Sequence, residues 1–285
     1  MTKNRVIIAI LLGLGAVVIA SLSAREEWTH RREVTAPARI RPTSPLTDRF
    51  AVPVLMYHRI CDLTEREARS PLLRDLTVSP GNFEAQVRYL VENGFAILSV
   101  KEVETALREG RPLPEKAVAL TMDDGYRDNF TCAFPILEQY GIPATVFLVT
   151  AVVGDAKHFS WEDARAMQAK ACGFESHTVH HYDLTSLLAD QLDAELRESK
   201  QAIEEKLTSP VTQIAYPSGS CNTQVTAQAR LAGYRIGWKK GGGPVTPGDD
   251  PYLLPRIRIR GCTDMPDFAR KVWSGVYVIR GEGRT

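Results

Sequence analysis

The apolar stretch Ala117-Val118-Ala119-Leu120, bounded by Pro114 and Gly125, reads as a buried strand, and it runs straight into two adjacent carboxylates, Asp123 and Asp124. Like charges this close resist joint ionisation, so their place at the mouth of a buried strand needs a reason. A cation would supply one, by taking one carboxylate as ligand and leaving the other as a base. About fifty residues on, the run Ser176-His177-Thr178-Val179-His180-His181 sets His177 and His181 four apart. On a helical turn that spacing places both imidazoles on one face, as a single small cation requires. One Asp and two His leave coordination positions open to water, the mark of a catalytic rather than a structural site. Asp-Asp-Gly alone is also the composition of a solvated turn, and a His pair alone rarely binds anything. Both motifs following strands are much harder to reach by accident.

Alternating signals run along the rest of the chain. Strands are expected at Ala51–Tyr57, Phe95–Leu98, 117–122, Ala144–Val149, Val211–Ala215, Arg235–Trp238 and Leu253–Ile259. Helices are expected from Ser79-Pro80 to Glu92 and from a Ser99/Glu102 capping box to Arg108. Further helices are expected over Asn129–Tyr140 with a bend at Pro135, Trp161–Lys170, Asp190–Leu207, Thr223–Ala232 and Met265–Trp273. Repeated βα units argue for a parallel sheet, open or closed into a barrel. Candidate chemistry at the ends of several strands favours the barrel.

The motifs Thr121-Met122-Asp123-Asp124-Gly125 and His177-Thr178-Val179-His180-His181-Tyr182-Asp183-Leu184 resemble the leading motifs of the polysaccharide deacetylases, carbohydrate esterase family 4. The resemblance extends to Val52–Ile60, to Ile142–Leu148 and to Ala215-Tyr216-Pro217-Ser218-Gly219, covering roughly Phe50 to Ser274. The opening with Tyr57-His58 looks most like the extracellular poly-N-acetylglucosamine deacetylase branch. The resemblance implies a distorted (β/α)7 barrel and hydrolysis of N-acetyl groups on N-acetylglucosamine units. It assigns Asp123 as general base and Asp124, His177 and His181 as ligands of a divalent metal. Zn²⁺ suits that mixed set, as would Co²⁺, Ni²⁺ or Fe²⁺. It also implies an oxyanion contact from the backbone at Ser218, beside Tyr216.

Two departures stand out. Ala215 occupies a place where many members carry Arg, and no His lies between Val272 and Thr285 to serve as terminal acid. Arg256 on a late strand is the candidate replacement guanidinium, and His58 at the end of the first strand the candidate acid. Other readings are an O-acetyl esterase or a glycan-binding barrel without catalysis, although binding alone has no need of Asp123.

At 285 residues the chain can hold one large domain, and 35 Lys and Arg against 34 Asp and Glu give no bulk attraction to nucleic acid. Val6–Ala24 carries no charge and follows Lys3 and Arg5. At about 1.5 Å per residue it nearly spans a roughly 30 Å hydrocarbon core. It reads as an anchor or as a signal peptide cut near Ala24, with the remainder outside the cytoplasm. The expected organisation is thus 1–24 membrane segment, 25–49 linker, 50–275 catalytic domain and 276–285 tail. The five Cys show no CxxC spacing and are expected to be mostly buried small residues.

Overall fold

The computed structural model describes residues 46–47 and 50–281. Eight strands form one sheet in which every pairing is parallel. They are β1 (Val54–Tyr57), β2 (Ala96–Leu98), β3 (Ala117–Asp124), β4 (Ala144–Leu148), β5 (Cys172–Ser176), β6 (Gln213–Ala215), β7 (Ile236–Trp238) and β8 (Ile257–Arg258). Their spatial order is β7-β6-β5-β4-β3-β1-β8, with β2 paired to β3 beside this path. The sheet curls. The segment leading into β8 meets the strand at the opposite end, where Leu254 N–H donates to Gly237 O and Lys239 N–H to Leu254 O, both at 2.9 Å.

Alternation along the strands sorts residues into two faces. On β3, Val118, Leu120 and Met122 join the large apolar layer under the helices, while Ala117 and Ala119 belong to a smaller inner layer with Phe147, Ile236 and Trp238. Thr121 and Asp123 fall in phase with Ala119, so the inner face begins apolar and turns polar at its C-terminal end. This is why the first carboxylate points inward.

The covering helices start where side chains satisfy their free N–H groups. Ser79 caps Pro80–Glu92, and capping boxes at Ser99/Glu102 and Ser160/Asp163 open Val100–Glu109 and Trp161–Gln168. Asn129–Ala133 form a wider π-type turn that passes directly, with helical dihedrals at Ala133 and Phe134, into Phe134–Tyr140, which has Pro135 in its first turn. Ala189–Leu207, here α6, is the longest helix among the described residues.

Several expectations are corrected. The Met265–Trp273 helix continues to Arg280, because Val276 adds a buried position on its apolar face, so the expected tail begins inside a helix. The Leu253–Ile259 strand shrinks to β8, its first half being spent on the crossing to β7. A short helix over Pro71–Leu76, capped by Ser70, went unforeseen. Only Cys172 among the five cysteines is buried; Cys61, Cys132 and Cys221 are half-buried and Cys262 is exposed. Leu46–Thr47, in the expected linker, pair with Leu113–Pro114. The Val6–Ala24 segment lies outside the described residues, among which no helix is long and apolar enough to cross a membrane.

Candidate active site

The C-terminal ends of β1, β3, β5, β6 and β8 open on a cavity of about 320 Å³. Its lining includes His58, Asp123, Asp124, His177, His181, Tyr216, Ser218 and Arg256. The structure thus brings together every residue singled out for chemistry in the sequence.

Arg256 and Asp123 form a bidentate pair, Nη1 to Oδ1 at 2.6 Å and Nη2 to Oδ2 at 2.8 Å. Both are almost fully buried, at 1% and 2% exposure. Arg256 also donates to Thr121 Oγ1 at 3.3 Å and lies over the Phe147 ring, 5.1 Å from its centroid. Burial pushes the Asp123 carboxyl up, but Arg256 and then His177 outweigh it and hold it at about 2.

Asp124 is the last residue of β3 and turns with φ 73°, a left-handed backbone in which Asp is better tolerated than most side chains. The reversal aims its carboxylate away from Arg256 and toward the two histidines. Asp124 Oδ1 lies 3.5 Å from His177 Nε2 and 3.7 Å from His181 Nε2. The three ligand atoms all fall within 4.8 Å of one another. Donors bound at about 2.1 Å in a tetrahedron sit about 3.4 Å apart, a spacing that both Asp124 distances approach, so these three residues are a candidate set for one small divalent ion. His177 Nδ1 lies 2.7 Å from Ala215 O. That carbonyl can only accept, so the proton sits on Nδ1 and the Nε2 lone pair faces Asp124. Burial raises the Asp124 carboxyl, with Asp123 adding to the rise against His177, a surplus of negative charge that a cation would relieve.

The His pair does not sit on a helical turn. Residues 177–181 form a loop in which Thr178 (φ 70°) and His181 (φ 61°) are left-handed. The cause is local bonding: Thr178 Oγ1 accepts the His181 N–H at 3.1 Å, and the Val179 and His180 N–H groups go to Glu195. The imidazoles meet edge to face with centroids 4.8 Å apart. His180 turns away, its Nδ1 2.6 Å from Glu195 Oε1.

His58 lines the cavity with a buried Nδ1 that has no hydrogen-bond partner among the described residues. Burial lowers its pKa to about 4 against the pull of Asp123, below the near-neutral value expected of a resting acid. At Tyr216-Pro217-Ser218-Gly219, hydrogen bonds run from the Gly219 and Ser220 N–H groups back to Tyr216 and Pro217, leaving the Ser218 N–H outside the turn. The Ser218 backbone is left-handed (φ 57°). Tyr216 is buried and donates its hydroxyl to Tyr252 O at 3.1 Å, so it supports the turn from behind.

Sequence reasoning missed five residues that line the site or brace it. Leu72 and Leu76 of the unforeseen short helix form an apolar wall, and Lys240 stands at the rim. Tyr126, directly after Asp-Asp-Gly, stacks on His158 at 5.1 Å. Glu195 braces the loop from α6, where its i+3/i+4 phase with Leu192 and Ser199 marked the buried face.

Comparison with known proteins gives the frame for this geometry. Residues 110–237 match the family model described as polysaccharide deacetylase. The chain is 32% identical over 204 residues to the Bacillus subtilis (strain 168) protein YxkH, whose name places it among polysaccharide deacetylases, covering 69% of this chain and 73% of that one. It is 27% identical over 219 residues to the poly-β-1,6-N-acetyl-D-glucosamine N-deacetylase of Staphylococcus aureus, covering 72% and 74%. Among solved structures, the Streptococcus pyogenes deacetylase PplD, in complex with acetate, superposes with a TM-score of 0.74 at 29% identity over 79% of this chain and 99% of its own. IcaB from Ammonifex degensii superposes at 0.69 with 25% identity, covering 78% and 97%. The chain therefore belongs to the polysaccharide deacetylase family, carbohydrate esterase family 4, hydrolases that act on N-acetyl groups.

Proposed function

We propose that this protein removes N-acetyl groups from N-acetylglucosamine units of an extracytoplasmic polysaccharide, with a divalent ion held by Asp124, His177 and His181. The observation that carries the reading is the juxtaposition of an Arg-clamped carboxylate, Asp123, with that ligand triangle in one cavity. Similarity to the Staphylococcus aureus enzyme supports N-acetylglucosamine as the sugar. The curled parallel sheet supports the distorted (β/α)7 barrel of the family.

An ion there would polarise the acetyl carbonyl and acidify water, and Zn²⁺ suits two imidazoles and one carboxylate. Asp123 stays ionised at any working pH and takes the proton of the attacking water. Arg256 occupies both Asp123 oxygens and fixes the direction in which the base faces. As the water oxygen bonds to the acetyl carbon, the carbonyl oxygen gains charge, and the Ser218 N–H donates to it. The C–N bond then breaks and the amine needs a proton. His58, neutral at rest, would carry it from the Asp123 side of the cavity to the departing nitrogen, leaving acetate and a free amino sugar.

The test is acetate release from a panel of defined N-acetylated and O-acetylated glycans, with and without chelator. Chelator-sensitive release from N-acetyl substrates is expected. Release confined to O-acetyl esters, or binding with no release, would overturn the assignment. The uncharged Val6–Ala24 run behind Lys3 and Arg5 supports a membrane-anchored, outward-facing domain, which fractionation of full-length protein tests. A soluble product starting near Ala24 would make it a cleaved signal peptide.

A further inference from the structure

Two of the three candidate ligands sit on a loop that is held by a helix contributing no ligand. Glu195 of α6 is buried, at 5% exposure. Its Oε2 accepts the N–H of Val179 at 3.0 Å and of His180 at 2.9 Å, and its Oε1 meets His180 Nδ1 at 2.6 Å. One turn on, Ser199 Oγ lies 2.8 Å from Ser176 Oγ, which accepts the Thr178 N–H at 3.1 Å. Tyr234 ties the same helix down by donating to Leu196 O at 2.8 Å. Three consecutive N–H groups of the loop thus end, directly or through Ser176, on side chains of α6.

This bonding explains why the histidines do not follow the helical turn their spacing suggests. A carboxylate accepting adjacent N–H groups holds them in parallel, facing one point, and is the stronger acceptor for being charged. Thr178 and His181 are kept left-handed on either side of that anchor, a conformation side-chain-bearing residues rarely adopt unless surrounding bonds demand it. Without Glu195 the two part-buried N–H groups of Val179 and His180 lose the charged acceptor that draws them to one point, and nothing on α6 then holds the His181 ring over Asp124.

We propose that Glu195 is a positioning residue that sets ion affinity, by holding the 177–181 loop in the one arrangement that turns both imidazoles toward Asp124. The inference rests on the ion site proposed above. Its test uses the full-length protein, stripped with chelator and titrated with Co²⁺. The visible absorption of bound Co²⁺ reports both affinity and geometry, with competition by Zn²⁺ as a second measure. Glu195→Ala is expected to weaken ion binding about 10–100-fold, the usual effect of losing an outer support, and to alter the Co²⁺ band shape. Glu195→Asp keeps the charge but falls one carbon short of the loop, so it shifts binding the same way and serves if the alanine variant does not fold. Glu195→Gln retains an oxygen that can accept both N–H groups and restores most of the affinity. Leu192→Ala, a core change in the same helix, lowers thermal stability but leaves affinity and spectrum intact. Wild-type binding in Glu195→Ala and Glu195→Asp overturns the inference, as does weakening that tracks lost stability equally in Leu192→Ala. In both cases the ion site itself stands. A wild type that takes up no Co²⁺ overturns the ion site and this inference with it.

Discussion

Replacing Arg256 by Met removes the guanidinium while keeping an unbranched side chain over Phe147. In the native protein the Asp123 carboxyl sits at about 2 against an ordinary value of 3.8. The group is buried, so the depression converts to roughly 2 kcal/mol of stability at neutral pH, at about 1.4 kcal/mol per unit. Because the folded value lies below the unfolded one, this stability is present above pH 3.8 and lost as pH falls through about 2. Without Arg256 the sign inverts. Burial, the largest influence on the carboxyl, is then opposed only by His177 and His58, so the group is expected to destabilise the fold as pH rises. Leaving a buried charge unpaired costs about 3–5 kcal/mol in comparable cases. The loss in Arg256→Met should therefore be largest near pH 7.5 and shrink toward pH 4. Urea unfolding at a series of pH values measures it, and the acid limb of kcat/KM should move upward in parallel. Adding Asp123→Asn should recover much of the stability, since the amide carries no charge to strand. A stability loss independent of pH, together with an unmoved acid limb, would refute the coupling and make Arg256 a packing residue.

Asp123→Asn should keep the ion and lose about 10²–10⁴-fold in turnover, whereas Asp124→Asn should lose the ion itself, read by metal analysis beside acetate release. His58→Ala should lower turnover strongly at unchanged ion content; normal turnover would leave solvent or the sugar as proton source. Glu175 of β5 is buried, accepting the Thr212 and Gln213 N–H groups, and burial raises its carboxyl to about 7. Its stabilisation is thus complete below about pH 4.5 and lost as pH rises through about 7, a span of roughly 3 kcal/mol. Glu175→Gln should flatten that dependence, and parallel unfolding curves from pH 5 to 8 would contradict it.

The parts of this molecule visible in the sequence are those written in local chemistry. The strand carrying Asp123 and Asp124 announced itself by a short apolar run between breakers, and serine caps marked helix starts to within a residue or two. Arg256 could be named from the motif lacking a guanidinium at Ala215, although its reach across to β3 is a property of the curled sheet alone. What escaped was set by distant partners. The 177–181 loop takes its shape from Glu195, which no spacing rule links to His177. The last helix passes through Ser274-Gly275, a weak helical stretch, because the bare Cα of Gly275 lets it press against Ala51. A Cβ there would stand 2.2 Å from Ala51 O. Residues 253–256 looked like plain strand, yet Leu254 bonds to Gly237 in β7 and to Lys239 just past it, and Arg256 O accepts from Gly241, instead of prolonging β8.

The Asp123–Arg256 pair spans 133 residues of chain. During synthesis, the strand bearing Asp123 is complete long before its counter-charge leaves the ribosome. Any early sheet therefore carries a half-buried, unanswered carboxylate at its inner face, and closing so long a loop is slow. A nascent or truncated chain ending before Arg256 lacks the guanidinium that answers Asp123 at the candidate site. Arrival of the segment leading into β8 answers that charge, so the inner face of the sheet is neutralised only once nearly the whole described chain is in place.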